Sequence, residues 1–549
     1  MQEISEAIKA AVKDLFNVDV EPVLTRPDEQ FGDFATNVAL QLAKKLNKNP
    51  RVIAQQLADK IQSDTIAKTE VAGPGFINIC LSDNYLIEQA LDQKIAQPLK
   101  DQEILVEFGD PNPFKEMHIG HLYSSIVGDA ISSLFEANGA EVRRVCYQGD
   151  VGLHVAKWLW GVHQELGWDD AAVAKLRDLP HTGIGYYYSL GAKAYEENTE
   201  AKTEIDVINT KVYSKEDPQL NKIYELGKRL SFDKFQDIFD LLGIAYKKQY
   251  LESQSVEIGL KYVKENTGKV FTHSQGAVIY EGEKVGLHTR VFVTSKGLPT
   301  YETKDLGLTE LKNTDYPNAA RSIIITANEQ SEYFKVMLAA LSEIDKPLAD
   351  KTTHLAHGFL SLSSGKMSSR TGDVYGATNL LNLVQNEVKQ QYPDTNPENE
   401  TYLAAIKYAF LKHRLGSDVT VDIKESVSLQ GNSGPYLQYA HARACSILAK
   451  SPLQGQSKLQ GQTLQEGERG LVRKIGEYPE VIEKAAAELM PHHVCMYLYE
   501  LAQTFNRFYE NNKVIGDSRQ AGRLQMVKAY ADTLKNGLTL LNIPAPEKM

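Results

Sequence analysis

Cysteine is scarce: four in 549 residues, at Cys80, Cys146, Cys445 and Cys495. No two form a C-x-x-C pair, so neither a zinc ribbon nor a disulfide framework is expected, and buried free thiols are. No apolar run reaches membrane-spanning length. A signal segment is missing too: Ile4, Ile8, Val12 and Leu15 recur at helical spacing among Glu3, Glu6, Lys9, Lys13 and Asp14, the pattern of an amphipathic helix. The expectation is a cytoplasmic protein with no membrane partner. Positive charge is short as well. Against 71 Asp and Glu stand 60 Lys and Arg, a net −11, which argues against nonspecific coating of DNA or RNA. Specific RNA binding through a local basic face stays open. Repeats and low-complexity tracts are absent, and all three tryptophans fall within residues 158–168.

What is present has the length of two to four compact units and an ordinary globular composition, 42% hydrophobic and 24% charged. The first hundred residues read as a small α/β unit. Helical patterns cover Met1 to Phe16, Phe34 to Leu46 and Arg51 to Ile61, and a turn at Gly73-Pro-Gly75 leads into an alternating strand that ends at Leu81. A second unit opens at Glu103. Ile104 to Phe108 reads as a strand, Ile119 to Phe135 as a helix stopped by Asn138-Gly139, and Glu141 to Tyr147 as the next strand. Strand, helix, strand at this spacing implies a parallel βαβ unit. Residues 151–264 are mostly helical and read as an insertion. Strand patterns return at Ala277 to Tyr280, Arg290 to Val293 and Ser322 to Thr326. Beyond Pro397 the chain reads as helical, with core stripes at Val494, Leu498, Leu501, Phe505 and Phe508, and at Leu524, Val527, Leu534, Leu538 and Leu541. The expected architecture is thus an N-terminal domain (1–100), a Rossmann-type parallel α/β domain (101–395) with a helical insertion, and an all-α bundle (396–549).

Two short motifs carry chemistry. His118-Ile-Gly-His121 falls where the βαβ loop enters its helix, the anion-binding end. Imidazoles there can donate to phosphate oxygens, and Gly120 lets a nucleotide approach the backbone. Alone the motif is weak, because a histidine at a helix start is often only a cap. Lys366-Met-Ser-Ser-Arg370 lies in a loop rich in Gly and Ser, where a mobile cation could close over a triphosphate. A solvated surface loop is the plainer alternative.

Together, in this order, they resemble the two ATP-binding motifs of class I aminoacyl-tRNA synthetases. Small nucleotidyltransferases share H-x-G-H but are usually far shorter and lack a long helical C-terminal domain. The flanking residues resemble the arginyl family in particular: Glu107-Phe-Gly-Asp-Pro-Asn-Pro-Phe-Lys-Glu-Met-His118, Tyr301-Glu-Thr-Lys-Asp305, Gln330, Gly434-Pro-Tyr-Leu-Gln-Tyr-Ala-His-Ala-Arg443 and the ending Asn542 to Met549. Phe31-Gly-Asp-Phe34 and Gly73 to Asn78 resemble its N-terminal domain. The resemblance implies ATP, with magnesium, bound by His118, Gly120, His121, Lys366, Met367 and Ser368. It implies L-arginine bound by Glu107, Asn112, His118, Tyr301, Asp305 and Gln330. It implies tRNA(Arg) contacted by Phe76 and Asn78 at its elbow and by Tyr436, Tyr439, Arg443 and Met549 at its anticodon. A monomer is the family norm.

Three residues depart from that pattern. Tyr123 stands where many members have arginine, Tyr333 where a histidine often follows the glutamine, and Ser369 where a second lysine is common. The family commonly carries a lysine at the position of Lys115, thought to compensate for the missing one, with Arg370 the rival. Another class I synthetase remains a second reading, separated by an amino-acid panel.

Overall fold

The computed structural model describes residues 1–177, 183–363, 376–394, 396, 400–451 and 459–549. Its centre is a five-stranded parallel sheet in the order Thr352–His357, Arg321–Ala327, Glu103–Glu107, Glu141–Gln148, Lys248–Leu251. Strand Glu103–Glu107 occupies the middle and is buried along its length after Glu103. Helix Ile119–Ala137 connects it to its neighbour and is buried nearly all round. Its apolar stripe alone would leave one face wet. The other face is covered by helices of the C-terminal region, and Ser124, Ser125, Ser132 and Asp129 are buried as well. The serines return their hydroxyls to carbonyls, Ser132 to Gly128 at 2.8 Å for example, and Asp129 pairs with Arg144 at 2.8 Å.

The helical insertion runs from Leu153 to Leu242 in five helices among the described residues. It ends earlier than its sequence pattern suggests, because Lys248–Leu251 is an edge strand of the main sheet. Four residues are too few for a periodic signal against long helices on both sides. The insertion has its own core around Trp158, Tyr187 and Tyr224. Phe114, from the loop that precedes His118, plugs into it, 5.2 Å from Trp158 and 5.5 Å from Tyr224 between ring centres. The Phe114 N–H donates to Ser231 at 2.8 Å. The segments at Ala277–Tyr280 and Arg290–Val293 pair with each other, and Thr272–Ser274 pairs with the other edge of Ala277–Tyr280, in a separate antiparallel sheet.

The N-terminal unit has a four-stranded antiparallel sheet backed by helices. Phe34–Thr36, which continues a helical pattern in the sequence, is one of its strands, paired on both sides. Cross-strand pairing overrides local propensity there. Ion pairs fasten this unit to the C-terminal bundle. Buried Asp33 meets Arg469 and Arg473, and Arg26 grips Glu480 with two bonds of 2.8 and 2.9 Å. In the bundle both predicted stripes are core. One short strand, Val419–Val421, departs from the all-helical expectation because it pairs with Leu360–Leu362 of the α/β domain. The cysteines are free, but only Cys146 and Cys495 are fully buried.

Buried Lys407 joins three regions. Its ammonium donates to the Leu242 carbonyl, where the insertion ends, at 2.8 Å, and to the Asn542 carbonyl at 2.7 Å. Lys407→Met would leave both carbonyls without this donor. We expect a loss of about 2–4 kcal/mol, read as a lower urea midpoint for unfolding.

Candidate functional site

Open parallel sheets bind ligands beyond the carboxyl ends of their strands. A cavity of about 310 Å³ opens there. It brings together Glu107, Asn112, His118, Tyr301, Asp305 and Gln330, with Gly120 and His121 on the same wall. These residues come from the central strand and its loop, from the start of helix Tyr301–Asp315 and from the turn after strand Arg321–Ala327. Tyr301 stands at the rim, 64% exposed.

His118 does cap its helix. Its Nδ1 accepts the Gly120 N–H at 3.1 Å, while His121 Nδ1 accepts the His118 N–H at 3.4 Å. The two rings stack with centres 3.6 Å apart. An accepting Nδ1 leaves the proton on Nε2, so both rings keep a donor for a ligand. Burial holds His118 down to about 4, and Lys115 adds to this; His121 is held well below its ordinary value by burial, then by His118. Both rings are therefore neutral donors at physiological pH. A Cβ on Gly120 would stand 2.9 Å from the His118 ring, so the cap itself requires glycine there. Gly376 pairs with His118, and the Ala377 N–H donates to the Met117 carbonyl at 2.7 Å. The chain thus returns beside His118 directly after segment 364–375, which contains Lys366, Met367 and Ser368 and lies outside the described residues.

Carboxylates dominate the other wall. Helix Tyr301–Asp315 supplies two buried lysines that meet two of them: Lys312 to Glu107 at 2.5 Å and Lys304 to Glu252 at 2.6 Å. Asp305, between these lysines in sequence, has no such partner among the described residues. It accepts the Tyr333 hydroxyl at 2.6 Å. Burial pushes its carboxyl up to about 8, the Tyr333 bond opposing this and Glu107 and Glu252 adding to it. Tyr333, a departure from the family pattern, thus has a definite place. An acid held so far above its ordinary range marks a site prepared for a cation.

Sequence reasoning passed over Asp110, Tyr147, Glu252 and Lys312. Asp110 was inside a motif, without a signal to single it out. Glu252 follows the edge strand that the helical pattern hid. Lys115 lies apart from this cavity. Its ammonium sits 4.7 Å over the Tyr188 ring, in a neighbouring cavity of about 480 Å³ that also reaches Tyr301.

The other candidates lie far along the chain. Tyr436, Tyr439 and Arg443 share one face of helix Gly434–Lys450. Tyr439 is 45% exposed. Tyr436 is half-buried, takes a bond from Asn506 at 3.0 Å and meets Tyr499 edge-on. Arg443 lies 4.9 Å over the Tyr509 ring. Met549 is exposed at the end of a tail held by Gln438 and His441, which bond the Pro544 and Pro546 carbonyls at 2.9 and 2.8 Å. In the N-terminal sheet Phe76 is 40% exposed and Asn78 half-buried. An inward Phe76 would be the ordinary expectation for a strand, but the inward positions are Ile77 and Ile79.

Three family models match in series: "Arginyl tRNA synthetase N terminal domain" over residues 2–81, "tRNA synthetases class I (R), catalytic domain" over 83–413 and "DALR anticodon binding domain" over 437–549. A protein of Limosilactobacillus fermentum named arginine–tRNA ligase is 29% identical over 100% of this chain and 99% of its own. One of the same name from Flavobacterium psychrophilum is 27% identical over the whole of both. The arginyl-tRNA synthetase structure of Thermus thermophilus superposes with a TM-score of 0.82 at 26% identity, all of both chains covered. That of Plasmodium falciparum, at 22% identity and TM-score 0.80 over 100% and 99%, shares the fold.

If both imidazoles are neutral, their C2 proton resonances in the free enzyme will not titrate between pH 5.5 and 8. A midpoint near 6.5 for either would contradict this arrangement.

Proposed function

The chain belongs to the class I arginyl-tRNA synthetase family, and from that premise we propose that the cavity at the carboxyl edge of its parallel sheet binds L-arginine beside ATP. The protein activates arginine with ATP and transfers it to tRNA. A nucleotidyltransferase is not favoured, since all three synthetase models match in order. The observation that carries the site assignment is an acid-lined cavity whose opposite wall is a helix N-terminus with two neutral imidazole donors.

An oxygen of the arginine carboxylate attacks the α-phosphorus of ATP. The bond to pyrophosphate breaks, and arginyl-adenylate and pyrophosphate result. A ribose hydroxyl of the terminal adenosine of tRNA(Arg) then attacks the acyl carbon and AMP leaves. His118 and His121 donate through Nε2–H to phosphate oxygens as charge grows on them, aided by the helix end. Asp305 pairs with the guanidinium, whose planar donors suit a carboxylate. Glu107, Asn112, Tyr301 and Gln330 complete the arginine site, and Gly120, Lys366, Met367 and Ser368 the ATP site. Magnesium is assigned to ATP, carried by its phosphates, on chemical grounds. Residues 1–100, with Phe76 and Asn78 on one face of a strand, are assigned to the tRNA elbow. Residues 396–549 are assigned to the anticodon through Tyr436, Tyr439, Arg443 and Met549, since an exposed tyrosine such as Tyr439 can stack on an unpaired base. No described helix is long and apolar enough to cross a membrane. A cytoplasmic monomer is part of this reading.

Aminoacylation of total tRNA with each of the twenty amino acids tests it: arginine alone should be incorporated, and charging with a different amino acid would overturn it. Asp305→Asn should weaken arginine binding by about 1.5–3 kcal/mol. Asp305 must be ionised to pair, and its carboxyl in the free enzyme stands near 8. Affinity for arginine should therefore rise with pH up to about 8, a dependence Asp305→Asn weakens.

Ser369 leaves one lysine in segment 366–370, and we assign the missing cation to Lys115, whose charge acts on both His118 and His121. Lys115→Ala should slow single-turnover adenylate formation by about 10²–10³-fold, with partial rescue by added Ser369→Lys. A single variant as fast as the parent enzyme would refute the assignment.

A further inference from the structure

Five carboxylates line the ligand cavity: Glu107, Asp110, Glu252, Asp305 and Glu329. Lys312 and Lys304 meet Glu107 and Glu252. Glu329 is exposed at the rim, and Asp110 accepts the Tyr147 N–H at 2.7 Å. Asp305 is held differently. Among the described residues its carboxyl group has one hydrogen bond, accepted at Oδ2 from the Tyr333 hydroxyl at 2.6 Å. A buried acid with no cation of its own can turn about its side-chain bonds and ionises reluctantly. Either weakness costs affinity for a guanidinium, which pairs best with a fixed, charged acceptor. The Tyr333 bond acts against both.

Tyr333 belongs to a different element from Asp305. It lies on helix Ser331–Ile344, which follows the turn after strand Arg321–Ala327. It lines the cavity, with its ring beside that of Phe334, centres 4.4 Å apart. Phe334 in turn stacks on His354 at 4.2 Å. His354 Nε2 lies 2.7 Å from the Thr326 hydroxyl on the adjoining strand. The phenol is therefore set from behind by packing that reaches the sheet. Burial, and then Asp305, raises its hydroxyl well above the ordinary range, so it stays a donor throughout the pH range in which Asp305 ionises.

We propose that Tyr333 is a positioning residue for arginine: its hydroxyl anchors one oxygen of Asp305 and so presents the other, as part of a carboxylate, to the guanidinium. The assignment rests on the arginine-binding reading of the cavity. It places part of the substrate affinity on a residue at which this chain departs from the family pattern. The bond favours the ionised acid, against burial and against Glu107 and Glu252. Lys312 and Lys304 offset those two glutamates, and Asp110, Tyr147 and Tyr301 are the other titratable groups facing Asp305 among the described residues. Removing the hydroxyl leaves all of these in place. The acid, which stands at about 8 with the bond, should then ionise at about 9, a tenfold change in its ionisation constant.

Tyr333→Phe keeps the ring and removes the hydroxyl. Binding of labelled arginine to the full enzyme is measured by equilibrium dialysis between about pH 7 and about pH 8.5, the range in which Asp305 ionises. At the lower end the dissociation constant should rise about tenfold over the parent enzyme. At the upper end the gap should narrow to about threefold, because the parent's acid is by then mostly ionised and the variant's is following. Titration of the ligand's amine and of Asp110 is common to both proteins and cancels in the ratio. With Asp305→Asn already present, Tyr333→Phe should change arginine affinity less than about twofold. A loss of the same size at both ends of the pH range, a loss undiminished by Asp305→Asn, or no loss at all overturns the proposal. Should Tyr333→Phe fail to fold, Tyr333→Met, which also lacks the donor and adapts to the space, gives the same comparison. A parent enzyme that does not bind arginine would instead refute the underlying function.

Discussion

Lys312 and Glu107 meet at 2.5 Å at the end of the central strand, both nearly free of solvent. A buried acid at this point would carry a large desolvation penalty without that partner, and breaking such a pair commonly costs about 3–5 kcal/mol. The contact joins helix Tyr301–Asp315 to the sheet at the position where the ligand cavity begins. Lys304 repeats the arrangement one side over with Glu252, which opens the helix after the sheet's edge strand. These two pairs decide which acids are neutralised within the fold and which are left for a ligand. A pocket with five acids and no internal lysine would repel itself. With two of them matched, it can close around a cationic substrate.

The opposite wall depends on a different constraint, the anchoring of loop 109–118. This loop would be long and polar by itself. Phe114 buries its ring in the core of the insertion, and the returning chain at Gly376 and Ala377 bonds to His118 and Met117. Insertion, sheet and following chain therefore fix the two imidazoles together. Their neutrality follows from the same burial, so they contribute directed hydrogen bonds rather than charge. Positive potential on this wall comes from the helix end.

Much of this was legible in the chain itself. The strand, helix and strand from 104 to 147, the two C-terminal stripes and the position of His118 at a helix start all follow from periodicity and from local signals spanning a few residues. The misreadings share a cause. Phe34–Thr36, Lys248–Leu251 and Val419–Val421 are short strands defined by partners distant in sequence, and three or four residues carry too little pattern to reveal such pairing.

The sequence by itself determined the kind of domain, the two histidines at a helix start and the acidic residue types near them, because these depend on spacing and side-chain chemistry close along the chain. Only the tertiary structure decided which carboxylates are available. Glu107 and Asp305 look alike in the sequence, yet one is matched by Lys312, 205 residues away, and the other is not. Charge compensation in a buried site is a matter of distances of a few ångströms between remote segments, and nothing local in the chain encodes it.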